Sequence, residues 1–416
     1  MPPRAVFFNR SFYPDVTATG QLLTELCLDL VKEYGWSVTV VTGQPLVGQY
    51  AAGVRVSRKG LWQKETLEGV EIVRVSNSAF GPESFLGRVF NYLTYFILSF
   101  LASFRLKKHD IVITLTDPPI IVLLGLWVGF WYKIPFVVSL RDLFPEAARG
   151  LEGREYPCIN ILLDQINRFC LKKATHVVVL GKTMQNRLIE DKGISQDTIS
   201  IIHDWADTAA IIPLPKENAF AIRHHLADYF VLMYAGNIGA SSGLEFVIDT
   251  AVALKEHKDI LFVFVGEGII KQRLIGLAEK RGLANVRFFP FQPKQTLSEV
   301  FSSADVFLVP LKKGLGGYSI PSKVYTVLAS GRPYLACVDE DSEIARITRE
   351  FGCGLLSAPQ DPEGLARNIL SLFQQKHLRQ TLGQNARKAS AFFDRRLGAQ
   401  QYRVLFERLL HDKKGT

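Results

Sequence analysis

Short runs of β-branched and aromatic residues alternate with helical patterns along this 416-residue chain, and the alternation stops once and restarts. The first series of runs covers residues 5–8, 37–41, 71–75, 111–115, 136–140, 176–180 and 199–202. These runs are apolar nearly throughout, as expected of parallel strands buried on both faces. Helical patterns such as 20–34 and 159–172 lie between them. Such strand–helix alternation predicts a doubly wound sheet. Residues 204–218 carry Pro213 and Pro215 without a sustained period and read as a linker. A second series follows at 231–234, 261–265, 286–288, 306–309, 334–337 and 354–356, and helical patterns from 361 to 410 close the chain. The reading is an α/β protein of two Rossmann-like domains, long enough for two cores, with a ligand cleft at their interface.

Loops at the carboxyl ends of strands are where such sheets bind ligands. The stretch 314–333 opens with Gly314, Gly316 and Gly317, which suit positive φ or close approach to a ligand. Ser319 then offers an N-cap, and Pro321 fits a first helical turn. Val324, Val327 and Leu328 share a face, Gly331 stops the helix and Pro333 follows. Lys323 in the first turn opposes the helix dipole unless an anion sits nearby. It is either a phosphate ligand or a surface lysine that tolerates the field.

Other loops also carry chemistry. The 13–20 loop, with Thr17, Thr19 and Gly20, follows the first strand. It is not GxGxxG and no acid ends the second strand, which counts against a dinucleotide site. Arg141, Asp142 and Glu146 follow the fifth strand, placed for catalysis, for substrate hydroxyls or for a local ion pair. Residues 234–245 carry three glycines with Ser241 and Ser242 before a helix, a loose phosphate cradle without the Gly-Lys-Ser/Thr of a P-loop. Gly266, Glu267 and Gly268 end the next strand.

Several classes fall away. A net charge of +9 favours acidic ligands or an anionic membrane surface, but the basic residues are scattered and no nucleic-acid motif is present. The five cysteines form no CxxC pair, and the eight histidines show no HExxH spacing. Asp339 and Asp341 have DxD spacing, but a triple acid in a loop is usually solvated, so no metal is expected. No GxSxG elbow occurs. The amino terminus shows no signal peptide, which points to a reducing, cytoplasmic compartment. Residues 92–104 and 120–132 are apolar but short of the roughly 20 residues of a spanning helix. The second reads as a buried helix. Residues 85–108, ending in Arg105, Lys107 and Lys108, read as a membrane-contacting segment.

Phe12-Tyr-Pro14, Arg141-Asp-Leu-Phe-Pro145, Asp204-Trp-Ala-Asp207, Tyr234-Ala-Gly-Asn-Ile-Gly239, Val265-Gly-Glu-Gly268 and Ala304-Asp-Val306 carry a family resemblance. Pro321-Ser-Lys323 and Ala329-Ser-Gly-Arg-Pro333 carry it most strongly. Together they resemble the family 4 glycosyltransferases, retaining enzymes of the GT-B fold, over essentially the full length. The branch most similar is the colanic-acid and L-fucosamine-transferase type, which builds surface polysaccharide.

The resemblance implies two domains whose parallel sheets face across a cleft. Residues 1–207 with 395–416 would bind acceptor, and 208–394 would bind a UDP-linked sugar. The diphosphate would lie across the 237–243 loop and Pro321-Ser-Lys323, with the base near Gly266–Gly268 and Phe291. Implied donor contacts are Thr19, Gly20, Asn237, Ser241, Ser242, Gly266, Glu267, Gly268, Phe291, Tyr318, Ser319, Ile320, Pro321, Ser322, Lys323 and Thr326. Asp142, Arg141 and Lys323 are the implied catalytic set. No cofactor or metal is implied. The implied partners are a polyprenyl-diphosphate-linked or other glycan acceptor and the anionic inner face of the cell membrane, with no nucleic acid. Departures stand at Tyr318 and Thr326, where the family carries glutamates. They stand also at Asn237 and at Ser241 or Ser242, where it carries arginine and lysine, and at Arg141, where it carries histidine. These changes leave two alternatives, a nucleotide-sugar-binding protein without transfer activity and a nucleotide-sugar 2-epimerase.

Overall fold

The computed structural model describes residues 2–15, 17–45, 60–78, 80, 85–147 and 157–414. The chain divides into two compact units: Asp204–Arg395, with the short segment from Glu146, makes the second, and the remainder makes the first.

The first unit opens with β1 (Arg4–Phe8), α1 (Ala18–Lys32), β2 (Ser37–Thr42), β3 (Trp62–Leu67), β4 (Val70–Val75) and α2 (Phe85–Ser103). It continues with β5 (Ile111–Thr114), α3 (Ile121–Tyr132), β6 (Phe136–Ser139), α4 (Pro157–Lys173), β7 (His176–Val179), α5 (Lys182–Lys192) and β8 (Ile199–Ile201). The sheet order is β3-β4-β2-β1-β5-β6-β7-β8. Every pairing is parallel except β3 with β4. The inner strands are buried along their length because helices cover both faces, which is why their sequences lack polar alternation. The antiparallel edge strand β3 is an element that apolar runs do not reveal. Its core is Gln63, Lys64, Glu65 and Thr66, and it stays half-exposed. It pairs through a two-residue turn in which Glu68 (φ 48°) and Gly69 (φ 94°) both sit at positive φ.

The second unit contains α6 (Ala219–Arg223), β9 (Phe230–Ala235), α7 (Glu245–Ala253), β10 (Ile260–Val265), α8 (Lys271–Lys280), β11 (Val286–Phe289) and α9 (Leu297–Ser302). After β12 (Val306–Pro310) come α10 (Lys323–Ala329), β13 (Tyr334–Cys337), α11 (Glu343–Phe351), β14 (Gly354–Ser357), α12 (Pro362–Gln374) and α13 (Lys376–Ser390). The six strands are all parallel, in the order β11-β10-β9-β12-β13-β14. Phe262 and Phe264 on β10 and Leu308 on β12 anchor a core that α7, α8 and α12 close. The 204–218 stretch is more than a tether. Trp205 and Ala206 are buried, Ala206 N donates to Phe393 O, and Arg395 N donates back to Ala206 O, both at 3.0 Å.

The last helix, α14 (Arg395–Lys414), belongs from Arg396 onward to the first unit. Tyr402 OH hydrogen-bonds Ser139 Oγ at 2.8 Å, and the Phe406 ring packs on Phe7 and Trp36. Cys27, Cys170, Cys337 and Cys353 are free thiols in the interior.

Candidate active site

In the second unit the strand order turns between β9 and β12, so the loops leaving their carboxyl ends mark the binding edge. Two glycine turns lie there, backbone against backbone. Gly236 (φ 134°) follows β9 and Gly266 (φ 149°) follows β10, and a Cβ on Gly266 would stand 1.9 Å from Gly236 O. No side chain fits in that gap. Gly236 N donates to Val265 O at 2.9 Å and Ile238 N to Glu267 O at 2.8 Å, which locks the two turns together.

Lys271, which local sequence does not single out, holds this pair from beneath. It is buried, and its Nζ donates to Gly266 O at 2.9 Å and to Glu267 Oε1 at 2.6 Å. Asn237 and Glu267 stand exposed at the rim. Ser241 O accepts Lys312 N at 2.8 Å, joining the loop after β9 to the loop after β12. Phe291, just past β11, is exposed.

Lys323 reaches into this edge. Its Nζ donates to Tyr234 OH at 2.6 Å and lies 4.1 Å from the centre of the same ring. Its Cε would be 3.3 Å from a Cβ on Gly236. Tyr234 is 1% exposed, and its hydroxyl also donates to Asn237 O at 2.5 Å and bonds Ser242 Oγ at 2.8 Å. One phenol thus fixes the lysine, the glycine turn and the buried Ser242. Lys323 forms no ion pair among the described residues. Its charge is aimed by a neutral partner, and no carboxylate among the described residues pairs with it.

The approach to Lys323 differs from the expected capping. α10 begins at Lys323 itself and has seven residues, with Ser322 at the cap position and no side-chain cap bond. Ser319 is not the N-cap, because it lies three residues before that cap, in a turn where its amide donates to Leu315 O at 3.1 Å. Pro321 precedes the helix and accepts Val324 N through its carbonyl at 3.2 Å. Lys323 itself is half-buried. Tyr318, Ser319, Pro321, Ser322 and Thr326 are half-buried around it, while Ile320 is buried. Gly331 does end the helix at positive φ (66°). Asp339 holds the glycine loop in place, its Oδ2 accepting Gly314 N at 2.8 Å and Gly316 N at 3.2 Å. Among the described residues no group of three or more His, Cys, Asp or Glu side chains could hold a metal.

In the first unit the order turns between β1 and β5, and the loops after them carry charges no local motif announces. Arg10 Nε donates to Asp117 Oδ1 at 3.2 Å, and Ser11 Oγ donates to Asp117 Oδ2 at 2.6 Å. Arg74 on β4, 1% exposed, donates to Gly43 O at 2.9 Å, Tyr13 O at 2.8 Å and Glu65 Oε1 at 3.1 Å, pinning the loops after β1 and β2. Asp15 is buried here, and its Oδ1 has no hydrogen-bond partner among the described residues. Burial pushes its carboxyl up to about 7, Arg10 opposing, Asp117 adding to the rise and Arg74 opposing.

Thr17 caps α1, its Oγ1 accepting Gly20 N at 3.4 Å. A Cβ on Gly20 would sit 3.0 Å from that oxygen, a tight contact that Thr17 would have to relieve by a few tenths of an ångström. Thr19 is half-buried on the same turn. Arg141 is buried and Asp142 half-buried beyond β6, with Arg141 N donating to Thr116 Oγ1 at 3.3 Å. Lys192, paired with Asp164 at 2.6 Å, donates to Phe144 O at 3.2 Å and steadies the segment.

The helices beside this sheet have an unusual outer face. Leu86, Phe90, Leu93, Ile97 and Leu101 on α2, followed by Phe104, are exposed at helical spacing. α3 buries Ile121, Val122, Leu124 and Val128, but its end exposes Phe130 (81%) and Trp131 (62%). Trp127 bridges the two helices, its ring centre 4.9 Å from that of Phe100. Among the described residues no helix is long and apolar enough to cross a membrane.

Residues 215–389 match the family described as Glycosyl transferases group 1, and residues 18–205 match the Glycosyl transferase 4-like domain. A similar protein of Escherichia coli K12 is named "Putative colanic acid biosynthesis glycosyl transferase WcaI". The identity is 27% over 390 residues, 90% of this chain and 93% of that one. The "Probable glycosyltransferase WbjE" of Pseudomonas aeruginosa is 28% identical over 277 residues, 66% of this chain and 68% of its own. Among solved structures, a sucrose-phosphate synthase from Thermosynechococcus elongatus superposes with a TM-score of 0.77 at 18% identity, covering 99% of this chain and 100% of that one. Anabaena HepE in complex with UDP-glucose superposes with a TM-score of 0.71 at 15% identity, covering 97% and 99%. At such identities the likeness bears on fold, and it is to the two parallel-sheet units of the GT-B plan.

Proposed function

Because the chain belongs to the group 1 glycosyltransferases of GT-B fold, we propose that it moves a sugar from a UDP-linked donor to a polyprenyl-diphosphate-linked acceptor, with retention and without a metal. The observation that carries this reading is Lys323. Its ammonium is held on the Tyr234 hydroxyl beside the Gly236 and Gly266 turns and is matched by no carboxylate among the described residues. An ammonium has three donors, and Tyr234 takes one. Two remain for the oxygens of a diphosphate, and the backbone at Gly236 and Gly266 lets a ligand approach closely. As the glycosyl–oxygen bond breaks, charge grows on the leaving diphosphate, where a preorganised cation acts most strongly. UDP bound to a structural neighbour supports the choice of donor base.

In the first unit the proposed acceptor residues are Arg141 and Asp142. Asp142 positions or polarises the acceptor hydroxyl, and Arg141 stands where the resemblance expects histidine. The apolar stripe on α2, with Arg105, Lys107 and Lys108 exposed beyond it, fits peripheral attachment to an anionic, cytoplasm-facing membrane.

A second reading has its own observation. Tyr318 and Thr326 flank Lys323 where the family carries glutamates, which favours a nucleotide-sugar binder without transfer. Incubating the protein with a panel of UDP- and GDP-sugars, with and without a polyprenyl-diphosphate acceptor, separates the two. Transfer, or slow donor hydrolysis, supports the transferase. Tight binding with no turnover of any donor overturns it.

A further inference from the structure

A cavity of 310 Å³ lies at the amino-terminal edge of the first unit's sheet, away from the switch-point loops. The start of β1, the β3–β4 hairpin and the end of α2 enclose it. Four cations line it, Arg4, Lys64, Arg105 and Lys107, against one carboxylate, Glu71. Lys64 Nζ stands 3.3 Å from Glu71 Oε1, which takes one of that ammonium's three donors, and four cations less one carboxylate leave the lining a net charge of +3. Asp110, nearby in the chain, accepts the Arg4 amide at 2.9 Å. The Arg105 guanidinium lies 4.2 Å over the Trp62 ring, which orients it. His109 lines the wall, bonded to Thr39 Oγ1 at 3.1 Å, and burial lowers its pKa, so it adds no charge near neutrality.

The place of this cavity matters as much as its charge. The exposed apolar stripe of α2 ends at Leu101 and Phe104, and Arg105 is the next residue. Apolar surface therefore gives way to a cationic hollow within one helical turn. A phospholipid has the same order, acyl chain then phosphodiester. A free anion would use the cations and leave the stripe unoccupied, whereas a lipid uses both.

We propose that this cavity is a headgroup site for an anionic phospholipid, its phosphodiester held by Arg4, Lys64, Arg105 and Lys107 while the acyl chains lie along the α2 stripe. The proposal rests on the membrane reading above and goes beyond it, because diffuse attraction to a charged surface needs no cavity. A site makes the cavity cations worth more than other cations beside the same exposed apolar face; diffuse attraction, which falls off within a Debye length of the surface, makes equal charge losses at equal distance from the membrane equivalent.

The test compares two triple variants of the full chain, each losing three positive charges. One neutralises the cavity (Lys64→Gln, Arg105→Gln, Lys107→Gln). The other neutralises exposed lysines outside it (Lys108→Gln, Lys133→Gln, Lys172→Gln). Sedimentation with vesicles of phosphatidylcholine containing phosphatidylglycerol reads affinity, and melting temperature and UDP binding report integrity. The cavity triple is expected to lose at least tenfold more affinity than the control triple. Dihexanoyl phosphatidylglycerol is expected to change Trp62-dependent fluorescence in wild type and not in the cavity triple. Equal losses in the two triples overturn the headgroup site and leave the membrane reading standing. Absence of wild-type binding to the anionic vesicles overturns both. A fluorescence response to inorganic phosphate equal to that of the short-chain lipid assigns the cavity to a free anion and overturns the lipid.

Discussion

Replacing Lys323 by methionine removes the ammonium while keeping most of the side-chain stem, so it isolates the charge. Nζ makes a 2.6 Å bond to Tyr234 OH and stands 4.1 Å over its ring. A bond of this kind to a half-buried cation, with the cation–π contact, stabilises the fold by roughly 2 kcal/mol. For a unit of this size that lowers the melting temperature by about 4–8 °C. The effect on ligand is separate. Loss of a charge-assisted bond to the diphosphate costs roughly 1.5–3 kcal/mol, which is about a 10- to 150-fold fall in UDP affinity. A larger fall in turnover follows if the bond strengthens as the leaving group gains charge.

Tyr234→Phe provides the second arm. It leaves Asn237 O and Ser242 Oγ without their shared partner and releases Lys323. If Tyr234 serves the donor by aiming Lys323, its substitution weakens UDP binding in the wild-type background and has little further effect in Lys323→Met. Interacting residues show this non-additivity, and independent ones do not. Calorimetric titration of UDP into the four proteins, with their melting temperatures, gives both quantities. A Lys323→Met protein that melts lower but binds UDP like wild type would refute the reasoning, for Lys323 would then be a strut between α10 and Tyr234 and nothing more.

Asp15→Asn tests the buried acid of the first unit. The folded carboxyl titrates at about 7 against an ordinary 3.8, so between those values the native state holds the extra proton. Its stabilising contribution is complete below the lower value and is lost as pH rises through the upper one, at up to about 1.4 kcal/mol per pH unit. Melting curves from pH 4.5 to 8 should show the variant gaining on wild type as pH rises, and parallel profiles would mean Asp15 is ionised throughout. Transfer activity should survive EDTA, since the proposed leaving-group charge is met by Lys323; loss on chelation, restored by Mn²⁺ or Mg²⁺, would return Asp339 and Asp341 to consideration. Phe90→Ser with Ile97→Ser should weaken vesicle binding by at least about tenfold for any headgroup, because each exposed apolar side chain that enters the bilayer contributes on the order of 1–2 kcal/mol. Unchanged sedimentation would detach the stripe from the membrane.

The inner strands are legible in the sequence because burial on both faces writes itself into consecutive residues. Val137, Val138, Val263 and Phe264 need no partner to be recognised. β3 is not legible for the same reason: an edge strand half in water carries Lys64 and Glu65, and only its pairing with β4 reveals it. Lys323 stands out as a candidate from its place in a helical turn, yet its surroundings do not. The phenol that aims it lies 89 positions earlier, on β9.

Arg10 and Asp117, 107 positions apart, escape a sequence reading altogether, because each is unremarkable among its chain neighbours. The topology brings them together, since β1 and β5 are adjacent only where the strand order turns. Asp339 shows the converse. A loop acid with DxD spacing offers the same oxygens to a metal or to backbone amides, and the spacing cannot distinguish them. The folded loop does, by carrying the amides of Gly314 and Gly316 to one carboxylate oxygen. Apolar residues are read from their neighbours along the chain, whereas a charged residue's role depends on what the fold carries to it. The site residues that the sequence hides, Lys271, Arg74 and Asp15, are accordingly buried and ionisable.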